Sequence, residues 1–210
     1  HDQDQWPGRT DKLVPTVRKA LGDGVRIYVD ANGAYTPRRA IGVGRFLEQH
    51  GVVHYEEPCP FWEIEWTAQV AAALDLPVAG GEQDNNLAQW RRIIGLPAVD
   101  IVQPDVCYIG GLTSMRRVTE LAAERNMPCT PHVANLSLLE VFTLHFLAAI
   151  PNAGPFMEHS IETTAWTEGL FSPALAVRDG QVDVPSGPGW GVEINRRWLE
   201  KAEHCESKAG

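Results

Sequence analysis

Short runs of apolar and β-branched residues, each closed by an ionisable side chain, alternate along the chain with longer stretches of helical period. The runs at 25–30, 52–56, 77–82, 100–105, 128–132 and 155–158 predict six strands. Ahead of them, the periodicity predicts a first helix over 14–21, closed by "GDG". Further helix starts are marked by "TP" at Thr36 and Pro37, "GGLTS" from Gly110, and "NLS" from Asn135, with Gly51 placed to end the second helix. Strand, helix and strand in regular succession predict an α/β fold of βα units around a parallel sheet. The rhythm breaks after residue 161. Pro- and Gly-rich pieces such as "PSGPGWG" predict loops and short extended stretches over 162–192, packed on something outside the repeat, with a helix near the end. We therefore expect βα units over 1–161 and a distinct C-terminal segment over 162–210.

Composition narrows the partners. A hydrophobic content of 44% over 210 residues can bury a substantial core. The formal charge of −9, with no run of Lys and Arg, argues against a nucleic-acid surface and favours a small molecule or a cation. No stretch approaches the roughly 18 apolar residues of a membrane span, and the polar opening lacks the apolar core of a signal peptide, so a cytoplasmic location without a membrane partner is expected. Cys59, Cys107, Cys129 and Cys205 form no CxxC pair and read as free thiols.

The chemistry sits where the strands end. Asp30, Glu56, Glu82, Asp105, His132 and Glu158 follow one another at separations of 26, 26, 23, 27 and 26 residues. That period is one βα unit, so each unit delivers an ionisable group to the carboxyl edge of the sheet, where parallel α/β proteins place their sites. Helix capping explains one such acid but not six in a row, since caps are mostly Ser, Thr, Asn or Asp. Three carboxylates converging at Asp30, Glu56 and Glu82 would repel one another unless a cation lay between them. An all-oxygen donor set suits a hard ion, Mg²⁺ first and Mn²⁺ second. Strand alternation lets only one residue of the "EE" pair face inward, and the even spacing selects Glu56 over Glu57. Asp105 and His132, on adjacent strands, are placed for a carboxylate to orient an imidazole as a general base or acid. His54 and His145 read as structural, Trp62 and Trp66 as cover for apolar surface or for the site, and Tyr108 as either a substrate contact or packing.

At these residues the chain resembles the enolase superfamily, and within it the mandelate racemase subgroup of acid-sugar dehydratases and racemases. The resemblance is carried by "VDANGAY", "YEEPCP", "AGGEQ", "DIVQPDVCYIGG", "TPHVAN", "MEHS" and "VPSGPGWGVEI", in that order. It implies a TIM-type (β/α)₇β barrel, here partial, with parallel strands 3 to 8 present. It also implies Mg²⁺ held by Asp30, Glu56 and Glu82, an Asp105–His132 dyad, Glu158 bonded to a developing enolate oxygen, and Asn32 touching substrate. The implied reaction is metal-dependent removal of the proton α to a carboxylate through an enediolate. Dehydration of a sugar acid to a 2-keto-3-deoxy acid is the first reading. Racemisation, epimerisation or cycloisomerisation is the second, and a non-catalytic barrel piece the third.

Two features of the family pattern are not in this sequence. An N-terminal capping domain and two further barrel strands, the second ending in a Lys-x-Lys or Lys-x-Arg motif, have no counterpart before His1, and neither Lys12 nor Lys19 can stand for that motif. We therefore expect the sequence to be part of a longer protein, one that assembles as a homo-oligomer.

Overall fold

The structure, a computed structural model, describes residues 4–134, 136–162, 164–165 and 167–206. Helix α1 (Arg9–Leu21) leads into strand β1 (Ile27–Asp30), followed by α2 (Pro37–Gln49), β2 (Val52–Glu56), α3 (Ile64–Ala71), β3 (Val78–Gly80), α4 (Leu87–Gly95) and β4 (Ile101–Val102). Helices α5 (Leu112–Ala123) and α6 (Leu138–Ala149) complete the repeat. The tail holds strands β5 (Phe171–Ser172) and β6 (Glu193–Ile194), paired antiparallel, and a last helix, α7 (Arg196–Leu199).

The sheet runs β1-β2-β3-β4, every pair parallel. It continues through single parallel bridges from Val102 to Cys129 and from Cys129 to Ala153, so six chain segments lie side by side in sequence order. One face of the sheet packs against the helices. Tyr55, Val78, Val102 and Cys129 of the sheet are fully buried with Trp90 of α4 and Met115 of α5. Helix α2 presents the stripe its period dictates, burying Ala40, Val43, Gly44 and Leu47, which are spaced to share one face. Truncating such a residue, Leu47→Ala for example, is expected to cost about 2–5 kcal/mol. The sheet also curls, since the ring of Tyr28 on β1 lies 4.3 Å, centroid to centroid, from that of Phe156 beyond the last bridge.

Local chemistry sets the ends. Pro37 supplies the fixed φ that opens α2 behind Thr36. The side chains of Asn86 and Ser137 accept the N–H groups of Gln89 and Leu139 at the starts of α4 and α6.

The structure departs from the predicted elements in three places. Helix α1 begins at Arg9 rather than at 14 and carries Pro15 inside it. The predicted strands over 128–132 and 155–158 are only single bridges, and the second bridge falls at Ala153, before the predicted span. Pro128, Pro131, Pro151 and Pro155 remove the donors a longer ladder needs. Gly154 passes so close to the preceding segment that a Cβ there would lie 2.2 Å from Thr130 Oγ1. Finally, β3 and β4 stop short, so Glu82 and Asp105 stand in the loops just past the strand ends. Asn135, part of one predicted helix start, lies outside the described residues, as does His1.

Candidate active site

Asp30 and Glu56 are register partners at the ends of β1 and β2. After Asp30 the chain turns sharply, and Asn32 adopts a left-handed conformation, φ 47°, that asparagine tolerates. Its N–H donates to Asp30 Oδ1 at 2.7 Å, and its side-chain amide donates to Asp30 Oδ2. Glu82 follows Gly81, whose φ of 110° carries the backbone across the Trp90 ring, where a Cβ would sit 2.2 Å from the indole. Only glycine fits there, and Glu82 is thereby delivered to the same edge as Asp30 and Glu56.

The neighbouring half of the site is tied by hydrogen bonds. Asp105, its carboxylate fully shielded from solvent, accepts the N–H groups of Cys107 and Tyr108 at Oδ1, at 2.7 and 3.0 Å. Its Oδ2 lies 2.9 Å from His132 Nδ1. The other ring nitrogen, Nε2, lies 3.2 Å from Glu82 Oε2. Glu158 Oε2 accepts the Val133 N–H at 2.7 Å, which pins that carboxyl beside the imidazole. Tyr108 stands with its ring centroid 6.0 Å from that of His132.

The electrostatics follow from burial and from crowding of like charge. Asp30 is pushed up to about 6, chiefly by burial, with the charges of Glu56 and Glu82 adding to it against the Asn32 N–H. Burial also lifts Glu82, where the Glu56 charge adds and His132 opposes. Glu158 rises to about 7 through burial and then the Glu56 charge. Asp105 behaves oppositely: burial would raise it, but its bonds to His132, Tyr108 and Cys107 hold it below the usual range. For His132, burial disfavours the charge, yet the Asp105 bond and the charges of Glu82 and Glu158 raise it to about 9.

Glu57 is the residue that strand alternation misplaces. The chain leaves the extended conformation there, with φ 39°, and the carboxyl stays buried rather than turning to the opposite face as a strand residue would. Burial and then the charges of Glu82, Asp30 and Glu56 push it up to about 8. The signal available in the sequence was the proline that follows, which marks the end of the strand.

Do these acids suit a divalent ion? Their chemistry does: oxygen donors from three adjacent segments, with Glu56 buried, Glu82 half-buried and Asp30 at the open edge, set close enough for their negative charges to add. As the side chains stand, among the described residues no three His, Cys, Asp or Glu are gathered closely enough to grip one ion. Asp30 and Glu82 instead rest on nearby donors, Asp30 on Asn32, and Glu82 on His132 and the Gln83 amide at 3.0 Å. A cavity of about 460 Å³ adjoins Asp30 and Asn32 and is lined also by Tyr35 and Tyr55. Tyr55 precedes Glu56 on β2 and so faces the helices, which places much of that cavity behind the site.

Comparison with known proteins identifies the family. Residues 5–198 match the family described as enolase C-terminal domain-like. The chain is 37% identical over 192 residues to L-talarate/galactarate dehydratase of Salmonella typhimurium, covering 90% of this chain and 46% of that enzyme. It is 31% identical to D-galactarolactone cycloisomerase of Agrobacterium fabrum, covering 88% of this chain and 51% of that one. The chain thus spans about half the length of the curated relatives it matches. Among solved structures, a provisionally assigned racemase from Roseobacter denitrificans superposes with a TM-score of 0.94 at 51% identity, covering 96% of this chain and 56% of that one. A mutant L-talarate/galactarate dehydratase liganded with Mg and L-glucarate superposes at 0.79 with 34% identity, covering 89% and 45%. Among the described residues no helix is long and apolar enough to cross a membrane.

Proposed function

Since this chain belongs to the enolase C-terminal domain-like family, we propose that it carries the acid–base half of a Mg²⁺-dependent enzyme that removes the proton α to the carboxylate of a sugar acid. Dehydration to a 2-keto-3-deoxy acid is the reaction the geometry supports best. The observation that carries this reading is the line Asp105–His132–Glu82, in which a proton-transfer group bridges an orienting carboxylate at 2.9 Å and a candidate metal ligand at 3.2 Å.

Asp30, Glu56 and Glu82 would hold the ion. When bound, Mg²⁺ supplies the positive charge that draws electron density from the substrate carboxylate and makes the α-proton removable. Asp105 fixes the His132 tautomer, so Nε2 is the atom that exchanges protons with substrate. Neutral His132 can take the α-proton at Nε2 and, charged by it, hand that proton to a departing β-hydroxyl, which leaves as water while the electron pair from the broken C–H bond forms the C=C bond of an enol. Glu158, half protonated near neutral pH, can donate a hydrogen bond to oxygen that gains negative charge. Asn32, at the tip of β1, is placed to touch substrate.

A racemase or epimerase is the second reading, supported by the 51% identity to the provisionally assigned racemase. Incubation with a panel of aldonates and aldarates plus Mg²⁺ separates the two. Dehydration yields a 2-keto acid from at least one member, whereas racemisation yields α-proton exchange in D₂O without keto acid. Neither signal from any member would defeat both readings.

A further inference from the structure

Beneath the acids lies a second inward layer. Residues two positions back along a strand share its face, so Tyr28 sits under Asp30 and His54 under Glu56. His54 is 1% exposed and packs against a pair of aromatic rings, its centroid 5.1 Å from Tyr28, edge to face, and 5.9 Å from Phe156. Its Nε2 lies 3.6 Å from Glu56 Oε2, and its Nδ1 has no hydrogen-bond partner among the described residues. The sequence pattern alone assigned it a packing role. Packing does not explain it, because burying an imidazole with an orphaned nitrogen costs free energy that a phenyl ring of similar size would avoid.

We propose that His54 is a positioning residue for Glu56. Tyr28 and Phe156 pack edge to face against one flank of the ring, and with its proton on Nε2 the ring offers a donor on the side of one Glu56 carboxylate oxygen. A shift of about 0.7 Å in the flexible Glu56 side chain closes the contact to hydrogen-bond length. With that oxygen tied down, the other is presented to the ion, and the carboxylate enters the metal site with its rotation already restricted. This inference rests on the reading of Glu56 as a metal ligand.

The test is calorimetric titration of Mg²⁺ into chelator-stripped protein, comparing the unaltered protein with His54→Phe and His54→Gln. Unfolding temperatures without metal check that the fold survives. His54→Phe keeps the ring packing against Tyr28 and Phe156 but loses the donor, and is expected to weaken Mg²⁺ binding about 10- to 100-fold. His54→Gln, which retains an N–H at similar reach, is expected to recover part of that loss. Should His54→Phe fail to fold, His54→Leu against His54→Gln makes the same comparison. Binding by His54→Phe within twofold of the unaltered protein overturns the positioning role alone. No Mg²⁺ binding by the unaltered protein overturns the metal reading and this inference together.

Discussion

The two halves of the site solve one electrostatic problem differently. In the Asp105–His132 half, the counter-charge is built in: a shielded carboxylate takes two backbone N–H groups and an imidazole, and its acidity rises despite burial. In the Asp30, Glu56 and Glu82 half there are too few donors for the negative charge. Asp30 and Glu82 are correspondingly harder to ionise, as are their neighbours Glu57 and Glu158. The first half is organised by the chain itself, and the second is arranged so that an added cation gains the most. Glu82 belongs to both, because it faces His132.

That contrast can be broken from either side. Asp105→Asn keeps the volume but removes the charge that orients His132, and activity is expected to fall about 10²- to 10⁴-fold with folding intact, measured as kcat on any turned-over sugar acid. On the other side, Mg²⁺ at about 100 times its Kd should stabilise the protein by about 2.7 kcal/mol. Glu56→Gln or Glu82→Gln should remove that shift in melting temperature, while Asp105→Asn should leave most of it.

A smaller effect concerns pH. The folded state raises Glu158 from 4.5 to about 7, so its neutral form contributes stability that is fully present below about 4.5 and is lost as pH rises through about 7. Denaturant unfolding of metal-free protein across this window should show that loss together with those of Asp30, Glu57 and Glu82, which are raised in the same direction, and Glu158→Gln should remove its own share. The smallest effect is at Gln83, whose amide reaches Glu82 from an exposed position. Gln83→Ala should change Mg²⁺ affinity by less than about threefold, since a solvent-exposed hydrogen bond is worth little net.

The fold was legible in the sequence to the extent that it follows from period. Six inward-facing ends recur because a strand, a helix and two loops have nearly constant length, and Asp105 and His132 are neighbours because their segments are. Features that depend on departures from regularity were not legible. Glu57 stays buried because its φ is positive, which alternation cannot anticipate. The fifth and sixth strands shrink to bridges because prolines and the close approach at Gly154 interrupt them. His54 looked like packing because the pattern records that a position is buried, while its importance lies in which atom of the ring meets Glu56.

The most direct test of the central claim, that three acids from adjacent segments share one hard ion, is a crystal structure of the protein grown with Mg²⁺. The account predicts a single octahedral ion with one oxygen each from Asp30, Glu56 and Glu82 at about 2.0–2.1 Å, and with His132 released from Glu82 but still bonded to Asp105. An ion bound elsewhere, or Asp30 still on Asn32 and Glu82 still on His132 at saturating Mg²⁺, would contradict it.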